Sequence, residues 1–309
     1  MTHRLNLNRR TVIKGMMLAS AATLVPPWIR AETRPMMRTI PSSGERIPSV
    51  GLGTWITFNV GQDPVLLDER AAVMQAFFED GGAMIDSSPM YGSSQATVGY
   101  GLDKLGYPES LFSADKVWTG NPNRRQSQIA ESLDDWRQEH FDLLQVHNLV
   151  AWRDHLPRLQ KMKANGEIRY VGITTSDGRR HDQFESIMRS ERIDFAQLSY
   201  NILNREAEKR LLPLARDEGI AVIANRPFQQ DRLTQWLADK PLPPWADELK
   251  ATSWAQILLK FILGHPAITC VIPATTRVDH VRENLAAARE PLPDAAMRER
   301  MAAFVRDLA

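Results

Sequence analysis

Leu156-Pro-Arg-Leu159-Gln-Lys-Met162-Lys-Ala-Asn-Gly166-Glu-Ile168-Arg-Tyr-Val-Gly172 shows in miniature how this chain is organised. Leu156, Leu159 and Met162 recur at the spacing of one helical face, so the segment from Leu156 to Ala164 reads as an amphipathic helix. Gly166 follows where a helix end favours a residue that tolerates left-handed backbone. Ile168 to Gly172 is then an apolar run of strand length. The same order recurs upstream, where Leu67, Ala71, Met74 and Phe78 share one face of a helix over 66–80 and Gly81-Gly82 ends it. From Ser49 onward, eight short apolar runs near 50–54, 83–87, 111–116, 142–147, 168–174, 194–200, 220–224 and 268–272 alternate with amphipathic stretches. Such alternation is the pattern of repeated βα units, and eight of them predict an α/β fold of the (β/α)₈ TIM-barrel type. Before them, Arg38-Thr-Ile-Pro-Ser-Ser-Gly44-Glu-Arg-Ile-Pro48 places Ser-Gly between two short apolar runs, which predicts an N-terminal β-hairpin able to close the barrel bottom.

The chain has 309 residues and 35.0 kDa. An eight-fold barrel takes about 250 residues as one unit, so one domain plus a short extension fits. The Pro-rich stretch Lys240-Pro-Leu-Pro-Pro244 reads as a long loop between the seventh and eighth strands, not as a boundary. Five basic residues and no acidic ones lie in 1–31 (Arg4, Arg9, Arg10, Lys14, Arg30), so of 38 Lys and Arg the remainder of the chain keeps 33 against 37 Asp and Glu, a formal −4. A mildly acidic body gives no reason to expect nucleic acid or an anionic membrane as partner. The single cysteine, Cys270, has no intramolecular partner and says little about redox compartment.

Within the first 31 residues, Asn8-Arg9-Arg10-Thr-Val-Ile-Lys14 precedes the small-residue apolar stretch Gly15 to Val25, then Pro26-Pro27 and Ala31. This resembles a twin-arginine signal peptide, cleaved near Ala31, and implies the twin-arginine export machinery as a partner and a periplasmic destination. The apolar stretch is shorter than the roughly 20 residues that span a bilayer, so no permanent membrane anchor is expected.

In a parallel barrel the active site forms at the carboxyl ends of the strands, so polar residues just beyond the apolar runs are the candidates. Asp86 ends the second run, Tyr91 follows in the next loop, Lys116 ends the third and His147 ends the fourth. Each alone has an ordinary use: Asp86 as a helix cap, Tyr91 as a loop aromatic, Lys116 as surface charge, His147 as a strand-end imidazole bonded to backbone. Three consecutive strand ends would bring the four together. Trp55, Trp118 and Trp152 follow strands one, three and four, where they line an aromatic pocket or pack the rim.

Gly51-Leu-Gly-Thr-Trp55, Ile85-Asp-Ser-Ser-Pro-Met-Tyr91-Gly, Asp115-Lys116-Val, Asp142-Leu-Leu-Gln-Val-His147-Asn, Gly166-Glu-Ile-Arg-Tyr-Val-Gly172 and Val271-Ile-Pro-Ala-Thr-Thr276 through Glu283-Asn284 form an ordered series. The series resembles the motifs of the aldo/keto reductases over about residues 36–290, placing the barrel domain at 36–309. The resemblance implies an enzyme that reduces aldehydes or ketones with NADP(H) and needs no metal. Tyr91 would be the proton donor, with Lys116 lowering the phenol's pKa, Asp86 neutralising the buried lysine and His147 orienting the carbonyl. The alternative within the family is an NADP(H)-binding regulatory barrel with little turnover.

For the cofactor, the resemblance implies contacts from a Ser-Asn pair after strand five, here replaced by Thr174-Thr175, and from a strand-six glutamine, matched by Gln197. After strand seven the family carries Ala-(Tyr/Trp)-Ser-Pro-Leu, whereas this chain has Ala224-Asn225-Arg226-Pro227-Phe228. Asn225 cannot stack on nicotinamide, and Arg226 is open to either a cofactor contact or a rim salt bridge. Thr275, Thr276, Arg277, His280 and Asn284 lie where the family binds the adenosine 2′-phosphate, at a loop and helix start suited to anions. The rim loops at 56–66, 148–156 and 226–250 give no pattern that names a substrate.

Overall fold

Period-two alternation within the apolar runs gives each strand one face for the barrel interior and one for the helices outside, and the computed structural model, which describes residues 35–308, shows both. The export reading at 1–31 lies outside the described residues. Eight parallel strands follow one another in order: β3 (Leu52–Gly53), β4 (Met84–Asp86), β5 (Phe112–Val117), β6 (Leu143–Val146), β7 (Tyr170–Thr174), β8 (Phe195–Ser199), β9 (Ala221–Asn225) and β10 (Cys270–Val271). Parallel bridges from Val50 to Val271 and from Gly53 to Ala274 join the last strand to the first. The sheet is therefore closed and has no free edge.

The expected hairpin is present as β1 (Met37–Thr39) and β2 (Arg46–Pro48), antiparallel with Arg38 opposite Ile47, and Gly44 at its turn has φ +78°. Its function follows from where its side chains go. Ile40 and Ile47 join Met84, Phe112, Leu143, Tyr170 and Phe195 in a buried cluster inside the barrel, so the hairpin plugs the amino-terminal end with hydrocarbon. A second, larger cluster fills the space between strands and helices, with Ile85, Leu144, Val146 and Val171 from the outward faces of the strands. Met84 and Leu143 thus point inward, Ile85 and Leu144 outward, and two residues further on the inward positions fall to Asp86 and Gln145. That step from apolar to polar divides the interior into a sealed floor and a reactive mouth.

Two boundaries differ from the sequence reading for identifiable reasons. The fifth strand begins at Tyr170 and not at Ile168, because the Arg169 and Tyr170 amides both donate to the Asp142 carbonyl, at 3.1 and 2.8 Å, before the ladder starts. The first barrel helix, α1 (Pro64–Glu79), starts where Asp63 accepts from the Val65 and Leu66 amides. Its buried face runs through Arg70, Ala71, Val73, Met74 and Phe77, so Ala71 and Met74 lie on it as expected, whereas Leu67 and Phe78 at its margins are only half-buried. Arg70 shares the buried face, which spacing alone does not predict, because its guanidinium donates to the carbonyls of Thr57 at 2.7 Å and Thr276 at 3.3 Å. It ties the loop after β3 to the loop after β10, on either side of the barrel's closing seam. Among the described residues no helix is long and apolar enough to cross a membrane.

Helix α2 (Ser94–Lys104), which follows the Tyr91 loop, is held against α3 (Arg125–Trp136) by a close approach at Gly99. A Cβ there would sit 2.0 Å from the Asp135 carbonyl oxygen, and backbone cannot withdraw as a side chain can. Gly99→Ala is therefore expected to destabilise the protein by roughly 1–3 kcal/mol despite alanine's better helix propensity. Urea titration of the two proteins side by side measures this; equal midpoints would mean the helices are not packed as described.

Candidate active site

Asp86, the last residue of β4, and Lys116, near the end of β5, both take inward positions at adjacent strand ends. Their side chains meet with Lys116 Nζ 2.7 Å from Asp86 Oδ2, and both are almost wholly buried. The ammonium also donates to the Ser87 carbonyl at 2.6 Å, and the Gln197 amide donates to Asp86 Oδ1 at 2.8 Å. Thr54, in the loop after β3, donates its hydroxyl proton to the Asp86 carbonyl at 2.9 Å and shares a second hydrogen bond with the Ser87 hydroxyl, also at 2.9 Å, fixing the backbone from which the carboxylate projects. Burial opposes a charge on Lys116, but the Asp86 carboxylate beside it prevails and holds the lysine above its ordinary range.

Tyr91 ends a short turn, Pro89–Tyr91, capped by Ser88, whose hydroxyl accepts from the Met90 amide. The turn lays the phenol over the ion pair, with Lys116 Nζ 5.2 Å from the ring centroid. His147, at the end of β6, meets the Tyr91 ring edge to face, centroids 5.7 Å apart. The four residues expected from three consecutive strand ends are thus brought together. One expectation is corrected. Lys116 does act to lower the Tyr91 pKa, but burial outweighs it and the phenol is raised overall. Tyr91 therefore keeps its proton throughout the neutral range, and the lysine's contribution is to limit the rise. Burial, reinforced by the Lys116 charge, pushes the His147 imidazole down to about 2, so it is neutral at any ordinary pH.

These groups open onto a cavity of about 330 Å³, also lined by Trp55, Gln197, Arg226 and Phe228. Trp55 is the one expected tryptophan that lines it. Trp118 is turned to solvent, its backbone amide bonded to the Gln128 side chain at 2.7 Å. Trp152 has been carried into the helix layer, because Asn148, Leu149 and Ala151 all adopt left-handed backbone and swing the chain away from the mouth.

Thr174, Thr175 and Gln197 also line the cavity. Thr174 Oγ1 accepts from the Asn148 amide at 2.9 Å, Thr175 Oγ1 donates to the Arg179 carbonyl at 2.5 Å, and Gln197 directs its amide to Asp86. Asn225 bridges neighbouring strand ends, accepting from Ser199 Oγ at 2.7 Å and donating to the Thr175 carbonyl at 3.1 Å. Arg226 adopts a left-handed backbone, forms an ion pair with Asp177 and lies over Trp55, 5.7 Å from the ring centroid. The rim salt bridge exists, and its guanidinium still borders the cavity. Thr275, Thr276, Arg277, His280 and Asn284 line an adjoining cleft of about 770 Å³. The two spaces share Phe228, Asp231 and Ala274 as walls and so lie side by side between Tyr91 and the start of the helix Val278–Ala286. Arg277 lies there exposed and, among the described residues, pairs with Asp279 two residues on.

Sequence reading passed over Ser88, whose hydroxyl lies 2.8 Å from His147 Nδ1. Its local signal, a serine before proline at a turn, marks only a cap; the histidine is 59 positions away. Thr54 and Ser87 were missed for the same reason.

A chain with this barrel and this mouth belongs to the aldo/keto reductase family, whose family model matches residues 49–303. It is 26% identical over 256 residues to the methylglyoxal reductase YeaE of Escherichia coli, covering 81% of this chain and 88% of that protein. It is also 26% identical to the L-galactose dehydrogenase of Arabidopsis thaliana, covering 84% and 89% respectively. An aldo/keto reductase from Klebsiella pneumoniae, solved in complex with NADP and acetate, superposes with a TM-score of 0.74 at 21% identity, covering 86% of this chain and 94% of that one.

Breaking one side of a buried ion pair leaves an uncompensated charge, which costs about 3–5 kcal/mol, whereas removing both sides need not. Asp86→Asn and Lys116→Met are each expected to lose stability of that order, and the double variant less than the sum of the two. A double-mutant cycle by chemical denaturation checks this; additive losses would mean that the pair is not coupled.

Proposed function

We propose that this chain is an NADP(H)-dependent reductase of aldehydes or ketones, with Tyr91 as the proton donor. The observation that carries the reading is the continuity of the buried pair Asp86 and Lys116 with the partly exposed Tyr91, in a row whose outer end opens on a cavity beside His147. Taken together as one groove, that cavity and the adjoining cleft toward Arg277 and His280 suit an extended dinucleotide, with a cation and a helix start for a phosphate at the far end. Thr174, Thr175 and Gln197 border it where the nicotinamide amide would need polar partners. A reduced nicotinamide bound along this groove supplies the hydride that no side chain can.

The protein's own residues then manage the charge that develops on the carbonyl oxygen. Tyr91 holds a proton at neutral pH and releases it to that oxygen, and Lys116 stabilises the phenolate left behind. Asp86 keeps the ammonium in place without competing for the substrate. His147, neutral and bordering the cavity, offers a hydrogen bond that orients the carbonyl. Trp55 and Phe228 give the cavity apolar walls that exclude water from the reacting groups.

Two of the relatives bear the name methylglyoxal reductase, which makes small 2-oxoaldehydes the first compounds to assay. Consumption of NADPH with such compounds tests the reading directly. Tyr91→Phe keeps the ring and removes the proton, and loss of a general acid lowers turnover by about 10²–10⁴ while cofactor binding persists. Near-normal turnover in that variant would remove Tyr91 from its role, and a wild type that binds NADPH but turns nothing over would favour a regulatory barrel.

We also propose that the enzyme is exported to the periplasm by the twin-arginine route, on the basis of Arg9-Arg10, Lys14, the short apolar stretch and Pro26-Pro27. That route would let the protein fold and take up its cofactor before it leaves the cytoplasm. Fractionation of cells expressing wild type and an Arg9→Lys, Arg10→Lys double variant is expected to place processed protein in the periplasm for the wild type alone. Full-length cytosolic protein in both cases would make the segment an ordinary basic tail.

A further inference from the structure

A neutral imidazole carries one N–H, and which nitrogen bears it decides whether His147 can donate to a substrate at all. Nothing in the ring itself fixes this. The partner of Nδ1 does, and here that partner is Ser88 Oγ at 2.8 Å. The two groups are buried, with Ser88 wholly inaccessible, so neither can turn to bulk water for a substitute.

We propose that Ser88 is a positioning residue that sets the tautomer of His147, donating its hydroxyl proton to Nδ1 and so keeping the ring's own proton on Nε2. The argument is a count of donors and acceptors. Ser88 Oγ has two hydrogen-bond partners among the described residues, the Met90 amide at 3.2 Å and His147 Nδ1. The Met90 amide can only donate, so it occupies a lone pair of Oγ and leaves the hydroxyl proton to be placed. Nδ1 is the acceptor in reach. In the opposite tautomer Nδ1–H would point at the serine oxygen, and the hydroxyl proton would be buried without any acceptor, an arrangement that is strongly disfavoured. Nε2 has no hydrogen-bond partner among the described residues, and it lies on the edge of the ring opposite Ser88, where His147 borders the cavity. The neutrality that the argument needs is supplied by burial and by Lys116, which together hold the imidazole uncharged.

A single turn thereby serves two residues. Ser88 caps the turn that carries Tyr91 and, with the same oxygen, orients the proton of His147. The proton donor and the hydrogen-bond donor to one carbonyl oxygen are thus fixed from one point of the backbone.

The inference rests on His147 acting on the carbonyl, and the test separates the two. In the full-length protein labelled with ¹⁵N-histidine, with His147→Asn to assign its signals, wild-type His147 is expected to show a protonated Nε2 and an unprotonated Nδ1, unchanged between about pH 5 and 8. A protonated Nδ1 would overturn the proposal, whatever the activity. Ser88→Ala is expected to lower kcat by about tenfold or more with NADPH affinity unchanged, as loss of one hydrogen bond to a buried group implies. Ser88→Thr, which keeps the hydroxyl, is expected to recover part of it. Wild-type kcat in Ser88→Ala would overturn the proposal, and if that variant does not fold the wild-type spectrum decides alone. Retained turnover in His147→Asn would instead remove the histidine's role and leave the tautomer result standing.

Discussion

The whole mouth of the barrel is arranged around one problem, a lysine ammonium with no access to water. An isolated charge in such a place is far too costly to persist, so the surrounding structure must supply what the solvent has been denied. It does so from several strands at once: the Asp86 carboxylate from β4, the Ser87 carbonyl just beyond it, and Gln197 from β8 steadying the carboxylate's other oxygen. These partners fix the relative heights of the strand ends. They also dictate which group can sit above Lys116. The Tyr91 ring takes that place, with Lys116 Nζ 5.2 Å from its centroid. In the mechanism proposed above, the reaction draws on the same charge that constrains the fold.

Much of this was legible in the sequence, and the reason is periodicity. Strand pairs such as Met84-Ile85 and Leu143-Leu144 announce their two faces through apolar composition, and the polar residues that follow them in register, Asp86 and His147, are conspicuous because they break it. Lys116 was legible for the same reason. The direction of the Tyr91 pKa was not, because it is the difference between two opposed effects whose sizes depend on depth. Nor was the fate of Trp152, since a few left-handed backbone angles after β6 are enough to move an aromatic ring from mouth to flank, nor that of Trp118, which leaves β5 turned to solvent. Spacing placed Ala71 and Met74 correctly on the buried face of α1 but not Arg70, which is buried there through carbonyl partners on both sides of the seam. Ser88 lay beyond any local reading because its partner is distant in sequence.

The departures after β9 give the site an individual character. Where the motif that the sequence resembles often has a flat ring and a small hydroxyl, this chain has an amide and a guanidinium. Asn225 fastens the ends of three strands through Ser199 and Thr175, so the wall that an aromatic would have furnished is replaced by a hydrogen-bonded brace. Arg226 stretches toward Trp55 and Asp177, giving the rim a cation that is already partly satisfied. The interior has been kept while its threshold has been rebuilt.

The hydrocarbon plug at the other end bears on traffic. Because the hairpin fills the floor with Ile40 and Ile47, there is no rear exit from the barrel, and whatever reaches Tyr91 must arrive and depart by one doorway. In the reaction proposed above, cofactor and carbonyl compound therefore use the same opening. A few apolar side chains at the floor, remote from the mouth, thus decide from which side the reacting groups are reached.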